Sequence, residues 1–189
     1  MTEPVRQVVE GRRAETVRRL LDATVEELVV RGFGSMTVRS VAERAEVSRA
    51  TAYSYFSSKE HLVTAVFWKR VQALPPSGET RTGTPGADVA QVVDTIARML
   101  AAEPALVQAC TTALLADQQE VKRLRDEIGQ EVYRRLTDAV GDADPSALDA
   151  VMTAFVGSLV LAGSGYLPMD QMASHLAGIT DRVLPPADR

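Results

Sequence analysis

A single cysteine, Cys110, stands among 189 residues, so neither an internal disulfide nor a thiolate metal cluster can hold this fold. Histidine is almost as scarce. His61 and His175 are the only two, far apart and without cysteine or carboxylate at ligand spacing, so no metal is expected and both read as surface or boundary residues. No apolar run reaches the roughly 20 residues that span a bilayer; the longest, Ala150 to Gly163, stops short. The N-terminus is charged and lacks the apolar stretch of a secretion signal. These absences lead to the expectation of a cytoplasmic chain with no membrane partner and no cofactor. Catalytic signatures are missing as well: no Gly-x-Ser-x-Gly, no Walker loop, no dinucleotide fingerprint and no histidine–carboxylate motif, so an enzyme is not expected. Internal repeats and low-complexity tracts are likewise absent.

The net charge of −4 speaks against a uniformly basic nucleic-acid binder, whose domain pI usually exceeds about 9. The charge is unevenly divided. Residues 1–70 carry 12 Lys and Arg against 9 Asp and Glu, net +3, which leaves 9 of the 21 cations against 16 of the 25 acids, net −7, for the rest. Contact with a polyanion would belong to the first part of the chain. With 46% hydrophobic residues, the chain can fill one large core or two small ones.

Val17, Leu20, Leu21, Leu28 and Val29 recur at helical spacing from about Arg12 to Arg31, where Gly32 suits a helix end. A short helix is expected from Val38 to Ala45 with Thr37 as N-cap, another from Arg49 to Phe56 with Ser48 as N-cap, and a fourth from Lys59 to Leu74. The Pro-, Gly-, Ser- and Thr-rich stretch 75–88 has no periodicity and reads as a linker. Beyond it, helices are expected at 89–102, 104–116, 118–140, 145–166 and 168–184, with Pro104, Pro145 and Pro168 near first-turn positions where a missing N–H does no harm. The reading is all-α with nine helices: an arm over 1–11, a three-helix DNA-binding domain over 12–58, a connecting helix over 59–74, a linker loop over 75–88, and a second helical domain over 89–189.

The two short helices with Glu46-Val47-Ser48 between them have the dimensions of a helix-turn-helix. The second helix of such a pair enters the major groove with its first residues at base edges, while the first crosses the backbone. Arg49 is positioned to donate two hydrogen bonds to a guanine, and Ala50 or the Thr51 methyl to meet a thymine methyl. Thr37, Tyr53, Tyr55 and Lys59 would reach phosphates, which sets register without reading sequence. Arg39 and Ser48 complete the candidate DNA-contacting set.

Gly32-Phe33, then Thr37-Val38-Arg39-Ser40-Val41-Ala42, then Ala45 through Phe56 with Tyr53-Ser54-Tyr55-Phe56, and finally Ser58-Lys59-Glu60-His61-Leu62 together resemble the TetR family of repressors. The match covers roughly residues 12–70 and is specific in its fixed offsets. The resemblance implies a homodimer on a palindromic double-stranded DNA operator, released when a small-molecule effector fills the C-terminal domain. It also implies that the last two helices of each subunit form a four-helix dimer interface. Two positions depart from the family pattern. Glu46 stands where the turn usually has glycine, and a positive φ there would cost roughly 1–2 kcal/mol. Ala50 replaces another common glycine, and its methyl limits how closely the helix approaches DNA.

Helix eight is apolar on most sides and is expected to be buried nearly all round. Helix nine carries a narrow apolar stripe like that of a packed bundle. Leu148, Leu159, Met169, Met172, Leu176, Ile179 and Val183 are the candidate dimer contacts. Phe67, Trp68, Met99, Val107, Cys110, Thr111, Leu114, Tyr133, Met152 and Phe155 are the candidate pocket, mixed apolar side chains with a few hydroxyls that suit a small lipophilic ligand. The cations of helix seven, Lys122, Arg123, Arg125, Arg134 and Arg135, sit among acids and read as a solvated, paired face. The alternative reading is a helical DNA-binding or interaction module without ligand control.

Overall fold

The computed structural model describes residues 3–77, 84–141 and 145–184, with side chains from Gly11 onward. Among the described residues there are nine α-helices, one short 3-10 turn and no strand. Helix α1 (Glu3–Ser35) begins nine residues before the expected Arg12, so most of the anticipated arm continues the helix. It breaks at Gly32, whose φ of 66° and ψ of 165° lie where only glycine sits without strain. Leu20 and Leu28 are buried, but Val29, expected on the same inner face, is 72% exposed. It follows Leu28 directly and is rotated about 100° away from it.

Helices α2 (Val38–Arg44) and α3 (Arg49–Tyr55) start at the caps expected. The Thr37 hydroxyl accepts from the Ser40 N–H while the Thr37 N–H donates to Ser40 Oγ, a reciprocal box that satisfies two otherwise unpaired donors. Ser48 Oγ accepts from the Thr51 N–H. Ser58 caps α4 (Lys59–Gln72) in the same way. Val41, Ala42, Ala52 and Phe56 close a small core with Leu20, Leu28 and Leu62. His61 belongs to that core. It is 8% exposed and meets Phe56 edge-on at 5.1 Å, which corrects the surface placement expected from its polarity.

Helix α5 (Pro85–Ala101) starts with a first-turn proline inside the expected linker; residues 78–83 of that linker lie outside the described residues. Helices α6 (Pro104–Ala113) and α7 (Gln119–Val140) follow, then α8 (Pro145–Gly163) and α9 (Met172–Val183). Helix α8 stops short of the expected Tyr166 because Gly165 turns left-handed at φ 82°. The Tyr166 and Gly165 N–H groups then close back on Leu161 and Ala162, the bonding of a Schellman cap. Pro168 precedes the 3-10 turn Met169–Gln171 that leads into α9.

Helix α9 lies along α5 and α8 of its own chain. Met172 and Leu176 are fully buried there, and Leu148 is 5% exposed, so these three expected dimer contacts belong to the internal core. Met169, Ile179 and Val183 are half-buried, the first two packed against that core. Helix α8 departs from the expectation in the opposite sense. Its neighbours α6, α7 and α9 leave part of its surface uncovered, and Val156, Val160 and Leu161 are 43–48% exposed. By length and composition α8 could cross a membrane; here Leu148, Val151, Phe155 and Ser158 pack it into the helical core. Helix α4 joins the two halves, packing on α1 at one end and on α6 and α7 along its length. Arg70 reinforces the junction with an ion pair to Glu103 at the start of α6.

Candidate nucleic-acid interface and effector cavity

The capped turn between α2 and α3 and the helix after it present Ser48, Arg49, Ala50 and Tyr53 to solvent. Thr51 is half-buried, its hydroxyl 2.7 Å from Ser48 Oγ. Arg39 and Thr37 are exposed on the neighbouring helix. Arg39 and Arg49 are brought together by a shared carboxylate, that of Glu43. Tyr53 is 53% exposed, whereas Tyr55 packs inward beside Phe56. Lys59 is also turned inward: its ammonium donates to the Phe33 carbonyl at 2.8 Å and lies 4.5 Å from the Phe33 ring centroid. It thus satisfies carbonyls at the end of α1, a structural task that competes with the expected phosphate contact.

Glu43 was not singled out from the sequence. One of its oxygens accepts from Arg39 Nε at 3.0 Å and from Arg49 Nη2 at 2.9 Å, tying α2 to α3 through the leading base-reader candidate. The bonds from Arg39 and then Arg49 hold its carboxyl below the usual range. The signal was present in the i,i+4 spacing of Arg39 and Glu43, but the link to Arg49 depends on the turn. Glu46, in that turn, has φ 51°, the left-handed conformation expected of a glycine position.

A cavity of about 250 Å³ lies between α4, α6, α7 and α8. Phe67, Val107, Cys110, Thr111, Leu114, Met152 and Phe155 line it, as does Leu159, expected instead at the dimer face. Trp68, Met99 and Tyr133 do not; Leu100 and Val132 line it beside the last two, and beside Trp68 the wall is the already expected Phe67. Each of the three is one residue from a lining residue, and one residue on a helix turns a side chain by about 100°. Burial pushes the Cys110 thiol up to about 12, with Glu103 adding to it, so this wall carries a neutral thiol. Among the described residues no group of three metal-ligating side chains is found.

An exposed arginine at the start of a capped second helix, on a four-residue turn from the first, defines a helix-turn-helix DNA-binding protein. Comparison with known proteins narrows the class. The family described as Bacterial regulatory proteins, tetR family, matches residues 20–66. A helix-turn-helix-type transcriptional regulator of Mycobacterium tuberculosis is 38% identical over 188 residues, spanning 97% of this chain and 88% of its own length. The transcriptional repressor KstR of Rhodococcus jostii is 29% identical over 133 residues, 70% of this chain and 63% of its own. A TetR regulator from Rhodococcus sp. RHA1 superposes with a TM-score of 0.77 at 21% identity, over 94% of this chain and all of the other. FadR of Bacillus subtilis, solved with stearoyl-CoA, gives 0.64 at 16% identity over 90% of this chain and 99% of its own. The chain belongs to the TetR family of DNA-binding transcriptional regulators.

Proposed function

We propose that this protein is a cytoplasmic homodimeric repressor that holds a palindromic operator until a small lipophilic effector enters the cavity between α4, α6, α7 and α8. One observation carries the coupling: Phe67 is a wall of the cavity and lies on α4, the helix that starts directly after the DNA-binding unit. An effector that swells this space favours the arrangement in which α4 is displaced, and a ligand shifts an equilibrium only by its preference for one state. The two α3 helices then leave the one-turn separation of about 34–36 Å that successive major grooves require. The uncovered strip of α8, with Gly157 between Val156 and Val160, is the surface offered to a second copy. Val156 and Val160 also line the cavity, so a partner on this strip would help to close it. The likeness to the KstR repressor supports repression as the sign of regulation.

The test is selection of bound fragments from a random DNA pool at about 150 mM salt, fixed because phosphate contacts make affinity salt-dependent. An inverted repeat with half-sites one turn apart is expected; enrichment of no sequence overturns the operator reading. With the selected site, Arg49→Ala is expected to weaken binding by about 1–3 kcal/mol and relax the preference at one base pair, as measured by fluorescence anisotropy. A uniform loss across all sequences would place Arg49 on phosphate instead.

A further inference from the structure

Of the five cations on α7, four have carboxylate partners: Lys122 with Asp117, Arg123 with Glu127, Arg134 with Glu131 and Asp138, and Arg135 with Glu131. Among the described residues Arg125 makes no direct ion pair, although its charge reaches the exposed Asp117 that pairs with Lys122. Its half-buried side chain lines the apolar cavity together with Leu114 and Leu115, and its guanidinium donates through Nη1 to the Leu114 carbonyl at 2.7 Å. Leu115 is 75% exposed, so Arg125 stands at the rim. A guanidinium has five donors in a fixed fork, and the Leu114 carbonyl accounts for only one. A cation with most of its donors unused, at the edge of a space walled by Phe67, Ile128, Met152 and Phe155, is matched by a ligand that is apolar along its length and anionic at one end.

We infer that Arg125 selects an effector made of an apolar chain with an anionic head, a carboxylate or a phosphate monoester, the chain filling the cavity and the head pairing with the guanidinium at its rim. This rests on the effector reading above and deepens it. It also names a route to the DNA-binding end. The Leu114 carbonyl that Arg125 holds is the cap of α6, and α6 packs against α1 and α4. An anion on the remaining donors of Arg125 would draw on the same guanidinium that fastens α7 to α6.

The experiment measures binding of decanoate, decyl phosphate, decanol and decylamine to the full-length protein by titration calorimetry, and repeats the series on Arg125→Gln and Arg125→Lys. Glutamine keeps an N–H donor for the Leu114 carbonyl and removes the charge; lysine keeps the charge. At least one anion is expected to bind about ten-fold or more tighter than decanol, with decylamine weakest, since one charge-assisted hydrogen bond is of that order. Arg125→Gln should abolish the preference while leaving decanol affinity within about two-fold, and Arg125→Lys should retain part of it. Equal binding of decanoate, decyl phosphate and decanol by the native protein overturns the inference without any variant and leaves the lipophilic-effector reading standing. A preference that survives in Arg125→Gln overturns it too. Binding of none of the four compounds overturns both readings and makes the cavity a packing defect.

Discussion

Glu46 holds a left-handed backbone at φ 51°, a conformation that costs a residue with a Cβ roughly 1–2 kcal/mol. Little in its side chain offsets this, because it is 87% exposed and its only ion pair among the described residues, to Arg19, is 3.5 Å long. Glycine would release the strain but would also loosen the unfolded chain by about 0.4–1 kcal/mol. Glu46→Gly is therefore expected to stabilise the protein by about 0.5–1 kcal/mol, read as a higher midpoint in urea with unchanged slope. A lowered midpoint would mean that the strain is already relieved by the surrounding turn. Ala50 is different in kind. It lies exposed within the regular α3 helix, so its methyl bears on how closely α3 approaches DNA.

Helices α1 and α2 are locked by a buried carboxylate. Glu27, 1% exposed, accepts from Arg44 Nε at 2.7 Å on one oxygen and faces Arg31 Nε at 3.0 Å on the other. Removing one member of such a set leaves the remaining charges partly desolvated, so Glu27→Ala is expected to cost about 2–4 kcal/mol in chemical denaturation. The unit is also acid-sensitive. Burial pushes the Glu27 carboxyl up, but the bonds from Arg44 and Ser40 and the charges of Arg31 and Arg44 outweigh it and hold it below its ordinary value. Burial likewise lowers His61, against the opposing charge of Glu120 and with the help of Arg123. Both groups bind protons more readily in the unfolded chain, so stability falls as pH falls. The His61 share is expected to be lost first, from about pH 6.5 downward, and the Glu27 share below about pH 4.3. Denaturation midpoints across this range check it. Stability that rises between pH 6.5 and pH 5 would contradict the His61 assignment.

For the molecule as a whole, the α8 strip decides the assembly. A twofold interface brings each position close to its own copy, so one new charge appears twice. Val160→Glu is expected to shift sedimentation toward the monomer and to weaken operator binding at least ten-fold, because each half-site must then be held alone. A dimer that survives would move the interface elsewhere. The helix-turn-helix was legible in the sequence because its caps and turn are local: Thr37, Ser48, Gly32 and Glu46 act within four residues of themselves. Among the described residues the nine helices stand close to the places that periodicity and first-turn prolines indicate, but α1 and α5 both begin earlier than expected, α1 at Glu3 and α5 at Pro85. What periodicity could not supply was the partner of each apolar face. Met172 and Leu176 read equally well as internal core or as dimer contact, and only the docking of α9 on α5 resolved them. The cavity was missed by one residue at three positions for the same reason. Helix propensity, caps and turns are settled between neighbours in the chain, and the sequence by itself determined them. Which stripe is core, which arginine of α7 makes no direct ion pair among the described residues and which face of α8 stays bare depend on residues far apart in sequence, and only the tertiary structure decided those.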